Sequence, residues 1–227
     1  MPTILIPLYE GFDLLDVCGP SEMFAWAKYD VVLMAERPGL VHANNGFAFN
    51  VANALAAQPA DALWVPGGDP NQLSRIIHDP AQAYLDFLKM QAARSNWVCS
   101  VCEGALLLAA GRLLDGYTVT THWAFIPYLL EHYPAPDGVT IADGHPRFAL
   151  DRNRLTGGGI SSGLDEALKL IELISGTALA QEVQQTTQYY PDPPVSSAIP
   201  NTIVSPMPAW PRAQAGSEAY VELVEPT

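Results

Sequence analysis

The chain has 227 residues, with 24 acidic against 11 basic side chains and a net charge of −13. That length suits one large domain or one domain with an extension. An apolar share of 49% and a charged share of 15% imply a sizeable core rather than disorder. The acidic balance disfavours a phosphate-backbone binder, so nucleic acid is not an expected partner. No apolar run reaches the roughly 18 residues of a membrane span. The opening MPTILIPLYEGFDLLD lacks the basic start of a signal peptide. Three cysteines, an odd number, do not suit a disulfide scaffold, and a reducing cytoplasm is the expected compartment. On composition alone all three read as small core hydrophobes.

In chain order, Thr3–Tyr9 is a short apolar run that reads as a buried strand. A helix over Val17–Lys28 starts at Gly19-Pro20, and Asp30–Ala35 is a second strand. Pro38–Asn50, with Asn44-Asn45-Gly46 between alternating apolar residues, reads as a hairpin. Ala62–Val65 is a core strand stopped by Pro66-Gly67-Gly68, and Pro80–Arg94 an amphipathic helix. Trp97–Val101 is a strand and Glu103–Ala110 a helix ending at Gly111. Thr118–Thr121 reads as a strand and Ala124–Glu131 as a short helix. Phe148–Leu150 and Arg154–Thr156 form a strand pair turning at Asp151–Asn153, and Ser162–Ile174 and Ala178–Gln188 are helices. Short apolar strands alternating with helices predict an α/β fold, a mostly parallel sheet covered on both faces. After Tyr190 the composition changes: eight of the 20 prolines fall in Pro191–Thr227. Ile199, Val204, Met207, Trp210, Tyr220 and Leu223 make that stretch too apolar for a solvated linker. The expected organisation is one domain over residues 1–190 and a Pro-rich extension over 191–227, packed on the domain or on a partner subunit.

In such a sheet reactive groups collect at the carboxyl ends of the strands. Four strand ends carry unusual residues: Asp13 to Asp16, Gly67-Gly68, Cys102-Glu103-Gly104, and His122-Trp123. Cys102 is the sharpest. It falls in a tight strand-to-helix turn, a nucleophile elbow that lifts its side chain over the sheet edge. The helix N-terminus behind it favours thiolate and a depressed thiol pKa. Cys99, mid-strand, points into the sheet packing, and with Cys18 reads as a core thiol. No further Cys or His pair completes a zinc site with Cys99 and Cys102, so no metal is expected. Gly159–Gly163 matches the serine-hydrolase elbow around Ser161, yet no histidine follows it. The plainer reading is a turn into a helix, capped by Ser162 with Asp165 completing a capping box. Asp16 either caps the Gly19-Pro20 helix or works at the sheet edge, where it can exchange a proton with a thiol or substrate. Glu103 is a second carboxylate of the site or a partner of the helix dipole.

Taken together, LLDVCGP, VPGG, SVCEGALLLAAGRLLDG, TTHWA and LTGGGISSGLDEALKL resemble the ThiJ/PfpI superfamily, whose class I glutamine-amidotransferase-like fold is a flavodoxin-like three-layer sandwich. The match runs in order over roughly residues 1–190. TTHWA, the TGGGI-x-x-GLD segment and Gln184–Pro194 look like its isocyanide (isonitrile) hydratase branch. The resemblance implies Cys102 as nucleophile, Asp16 as the carboxylate hydrogen-bonded beside it, backbone groups of Gly68 and Glu103 in an anion-stabilising pocket with Gly67, and His122 close to the cysteine. One departure stands out: those hydratases carry Thr directly after the cysteine, where this chain has Glu103. A negative charge there opposes a thiolate. The PfpI protease branch carries His at that position, and Glu103 argues against peptidase activity.

The expected activity is cysteine-dependent hydration of a small electrophile, an isocyanide giving an N-substituted formamide, with neither metal nor organic cofactor. A glyoxalase-like α-oxoaldehyde hydratase using Cys102, Glu103 and His122 is the alternative enzyme. A redox-sensing or binding protein switched by Cys102 oxidation is the non-enzymatic one. AraC-type regulators that carry this domain append a basic helix-turn-helix module, which the acidic tail does not resemble. The superfamily commonly dimerises, and a homodimer is expected.

Overall fold

The computed structural model describes residues 1–200 and 204–208. Its elements follow in chain order: β1 (Thr3–Leu8), α1 (Leu14–Trp26), β2 (Asp30–Ala35), β3 (Gly39–His42), β4 (Ala48–Val51), β5 (Asn53–Ala54), β6 (Ala60–Val65) and α2 (Pro70–Ile77). Then come α3 (Ala83–Ala92), β7 (Ser95–Ser100), α4 (Gly104–Ala110), β8 (Thr118–Val119), α5 (Ile126–His132) and β9 (Thr140–Ile141). β10 (Phe148–Asp151), β11 (Arg154–Gly157), α6 (Ser162–Ser175) and α7 (Thr177–Thr186) complete the described domain. A seven-stranded sheet runs in the order β10-β11-β7-β6-β1-β2-β5, parallel except for the β10–β11 pair.

The strand order explains the layers. The chain leaves β1 for β2 on one side and later passes from β6 to β7 on the other. Right-handed crossovers therefore put the intervening helices on opposite faces. α1, α6 and α7 pack together on one face, and α2, α3 and α4 on the other. The strands between them are apolar on both sides: Ile4, Leu5, Ile6, Leu63, Trp64, Val65 and Val98 are all completely buried. Each such side chain contributes roughly 1.5–3 kcal/mol relative to exposure. The order reverses beside β1, so the crevice outside the carboxyl ends of β1, β6 and β7 is the natural place for a ligand.

The predicted sandwich is borne out, with local corrections. α1 begins at Leu14, before the expected start, and Gly19 and Pro20 lie inside it. Pro20 is tolerated there for a specific reason. It has no N–H to offer the carbonyl of Asp16 one turn back. The buried indole of Trp64 fills the vacancy, its Nε1–H donating to Asp16 O at 3.0 Å. α2 escaped the sequence reading although its signals were present. Pro70 opens it, and the Asp69 carboxylate accepts from the backbone N–H of Asn71 at 2.8 Å and of Gln72 at 3.1 Å. The expected Ser162 cap is not made. Ser162 lies within α6, buried, and Asp165 instead takes Arg147 and the hydroxyl of Tyr189. Cys18 is exposed rather than a core thiol, because it faces outward from α1. Of the extension, Met207 packs on the core and Ile199 borders a cleft, while Val204 is 78% exposed. Trp210, Tyr220 and Leu223 lie outside the described residues. Among those residues no helix is long and apolar enough to cross a membrane.

Candidate active site

Three strand ends converge on one buried point. At the end of β7 the chain turns through Cys102, whose φ of +54° lies in the left-handed region that an ordinary L-residue adopts only under constraint. The constraint is backbone on both sides: Cys102 N–H donates to Gly158 O at 2.9 Å, and the Thr121 hydroxyl donates to Cys102 O at 2.6 Å. The elbow predicted for Cys102 is thus present, pinned from β11 and from the segment after β8. Thr121 was not singled out by the sequence reading.

The end of β6 supplies Gly67. A Cβ on this residue would run into Glu103 Oε2 and would sit 2.8 Å from Glu103 N and 2.9 Å from the Cys102 Cβ, so only glycine fits against the elbow. Its N–H donates to Asp16 Oδ2 at 2.8 Å, and its carbonyl accepts from Asp13 N–H at 2.8 Å. Gly67 therefore fixes the Asp16 carboxyl through its N–H and the Asp13 backbone through its carbonyl. Gly68 pairs with Phe12 in a one-residue antiparallel bridge that keeps the β6 end against the start of α1.

The start of α1 supplies Asp13 and Asp16. Their carboxyl oxygens, the Cys102 sulfur and a Glu103 carboxyl oxygen all lie within 4.8 Å of one another, and all four residues are buried. Asp16 and Cys102 are completely so. Asp13 accepts from the Asn44 side-chain amide of the β3–β4 turn, and its carboxyl lies within 4.8 Å of that of Glu103. Asp13 lay in a strand end marked by the sequence but carried no sign of a role of its own. Only the long-range contact with Glu103 reveals one.

The electrostatics follow from burial without a cation. Desolvation pushes Glu103 up to about 8, helped by the charge of Asp13, and pushes Asp13 up to about 6 against the hydrogen bonds from Glu103 and Asn44. Burial first, then the charges of Asp13 and Glu103, raise Asp16 well above the carboxylate range. The Cys102 thiol is raised rather than depressed, by burial and then by Glu103, Asp16 and Asp13. This corrects the expectation of a helix-activated thiolate. α4 is only seven residues long, and three carboxyls outweigh its N-terminus. The site is therefore a store of protons around a sulfur. One thiol and three carboxyls are compact enough to enclose a small cation, a different set from the Cys/His arrangement considered from the sequence.

His122 stands apart from this set. Its Nδ1 accepts from Ala124 N–H at 3.2 Å, its ring packs against Gly159 and Trp123, and burial lowers its pKa. It lines a cleft of about 480 Å³ with Leu15, Trp123, Ile160 and Ile199. Thr121 and Gly158, which hold the elbow backbone, share that lining. A larger cavity of about 800 Å³ lies over the ends of β1 and β2, between Arg37, Arg75 and Tyr84, and takes in none of the reactive set.

Comparison with known proteins gives the family and the fold. Residues 2–173 match the model of the DJ-1/PfpI family. An isonitrile hydratase of Pseudomonas putida is 34% identical over 87% of this chain and 83% of its own length. A ThiJ/PfpI family protein from Pseudomonas syringae superposes with a TM-score of 0.76 at 29% identity, covering 86% of this chain and 77% of that one. An HTH-type transcriptional regulator of Pseudomonas aeruginosa is 31% identical, over 59% of this chain and only 34% of the regulator.

Proposed function

The chain belongs to the DJ-1/PfpI family, and on that footing we propose that it hydrates a small electrophile through Cys102, its substrate being an isocyanide and its product an N-substituted formamide. The observation that carries the reading is the convergence of one strained cysteine and three buried carboxyls on a single point. An isocyanide carbon bears a lone pair and must gain a proton before or as a nucleophile adds to it. A site that stores protons beside a sulfur meets both needs.

In the first half-reaction the Cys102 sulfur bonds to the isocyanide carbon as its S–H bond breaks; Asp16 gives a proton to that carbon and takes up the one the thiol releases, leaving a thioimidate. In the second, Asp16 gives its proton to the nitrogen and takes one from the water that adds to the same carbon; the remaining hydroxyl proton passes to the sulfur as the C–S bond breaks, which releases the formamide and returns the thiol. The sum is addition of one water with no change of oxidation state. Asp16 is placed for these transfers, with Oδ2 fixed by Gly67 and Oδ1 unpartnered among the described residues. Glu103, raised to about 8, enters as the protonated acid, which removes the objection that a charge beside Cys102 would oppose it. The cleft lined by Leu15, Trp123, Ile160 and Ile199 suits the apolar substituent of the isocyanide.

The glyoxalase-like alternative is less well supported, because His122 is not among the groups gathered round the Cys102 sulfur and its Nδ1 is taken up by Ala124 N–H of its own turn. A reducing cytoplasm, with Cys18, Cys99 and Cys102 as free thiols, and a homodimer complete the reading. Support for the dimer is the exposure of Leu40 and Phe47 on the β3–β4 hairpin, which the Gly11–Asp13 segment ties to the site. The test is formamide release from an aryl or alkyl isocyanide by the purified protein. An inactive wild type rejects the substrate, and a fully active Cys102→Ala rejects the mechanism.

A further inference from the structure

Behind the reactive set lies a buried acid that the proposed chemistry does not use. Glu166, on the first turns of α6, is completely buried, and neither of its carboxyl oxygens has a hydrogen-bond partner among the described residues. The Ser162 hydroxyl, one turn earlier on the same face, is also buried and unpartnered. Both crowd Gly157. A Cβ there would strike Glu166 Oε2 and sit 3.1 Å from Ser162 Oγ, so this strand end is kept open for them.

The register shows which layer this is. Trp64 pairs with Cys99 and Cys99 with Leu155, so these side chains share one face, and Gly157, two residues on, shares it too. Trp64 donates to Asp16 O and packs edge-on against Phe24 of α1, which identifies the face as that of α1 and α6. Asp16 enters the same layer from α1, and α6 lies against it, with Gly163 beside Pro20. Asp16 Oδ1 is likewise without a hydrogen-bond partner among the described residues. Four buried oxygens without partners, on two helices packed together, are far from the rule that buried polar atoms are paired, by water where protein does not reach.

We propose that Glu166, Ser162 and Asp16 line an internal water site, and that Glu166, as a protonated acid, is a positioning residue that donates through this water to Asp16 Oδ1. The groups facing Glu166 are Asp16 from α1 and Cys99 from β7, with Arg154 of β11 beyond Cys99. A protonated Glu166 is the state that its burial and the nearby Asp16 favour. No bond is made or broken: the water passes a hydrogen bond from the Glu166 O–H to Asp16 Oδ1, which works against the burial that raises Asp16 and so lowers the pH at which it ionises.

The inference rests on Cys102 being the nucleophile but not on the substrate, so it is tested by alkylation. The rate of iodoacetamide modification of Cys102, mapped by mass spectrometry, is measured against pH for wild type, Glu166→Gln and Glu166→Leu. Glu166→Gln keeps a donor and should follow wild type. Glu166→Leu removes it, so Asp16 keeps its proton to higher pH. With that charge gone from beside the sulfur, the alkylation midpoint should fall by about one pH unit, or about tenfold in rate below the midpoint. A crystal structure of the wild type should show a water within hydrogen-bond distance of both Glu166 and Asp16 Oδ1. A wild-type profile in Glu166→Leu, an equal shift in Glu166→Gln, or no water between the two carboxyls overturns the proposal. A Cys102 that no reagent modifies overturns instead the nucleophile reading beneath it, and the crystallographic water then decides this inference alone.

Discussion

Cys99 and Cys102 are three residues apart, both completely buried, and both have thiols raised above the usual range by burial. Only one has the makings of a nucleophile. Cys99 sits in regular strand, with Glu166 raising its pKa and Arg154 lowering it. Cys102 turns through φ +54° into a ring of three carboxyls. Cys18, the exposed thiol, has no such ring. Neither exposure nor helix position ranks these thiols by chemical use. What separates them is the three carboxyls whose oxygens lie within 4.8 Å of the Cys102 sulfur.

The sharpest way to break this comparison is to exchange the two sulfurs for methyl groups. Cys102→Ala should abolish formamide production, whereas Cys99→Ala should leave turnover of the folded protein intact, as initial rates on an isocyanide will show. Next in size is Asp16→Asn, which keeps the shape and removes the proton acceptor. A loss of about 10²- to 10⁴-fold in kcat is expected, as for a general acid–base group, with KM little changed.

Glu103 gives a prediction in pH. Its folded value of about 8 lies above the ordinary 4.5, so the folded state holds a proton that the unfolded chain releases. Stability is therefore greatest below about 4.5, apart from acid effects elsewhere, and falls as pH rises towards 8. Asp13, raised from 3.8 to about 6, acts in the same direction over the lower part of that window. Thermal melts should show the slope, and Glu103→Gln should flatten it. The same substitution should also blunt the decline in activity expected above about pH 8. A slope unchanged in Glu103→Gln would mean that the carboxyl is ionised throughout.

The smallest effect concerns the frame. Trp64→Phe strips the Asp16 carbonyl of its donor and should cost about 1–3 kcal/mol, measurable by urea denaturation. Adding Pro20→Ala restores the helix N–H and should recover part of that loss. A double variant no better than Trp64→Phe alone would show that the indole acts only by filling space.

Much of this was legible in the chain. The alternation of apolar strands with helices gives the sandwich, because burial on both faces demands it. The cysteine elbow shows as a strand running straight into a helix. What the sequence could not display were contacts between distant segments. Glu103 looked like a liability beside a thiolate until the fold buried it, placed Asp13 against it and so raised its pKa. Pro20 looked like a helix start because the rescue of the Asp16 carbonyl comes from Trp64, 44 positions beyond it. Ser162 looked like a cap, since nothing local reveals that α6 buries its first turn against Gly157. Among the helices α2 was missed on local grounds, its Asp69-Pro70 start being hidden behind the glycines that end β6, and the two-residue strands β5 and β9 were too short to show a pattern.

The indole of Trp64 has a further use. It is fully buried, and its N–H is bonded to the backbone of the residue whose carboxyl receives Gly67. Emission from an indole so placed responds to the charge on Asp16 and to anything that displaces α1. A variant retaining Trp64 as its sole tryptophan would carry an intrinsic optical reporter, able to follow proton uptake and substrate arrival in real time without a label.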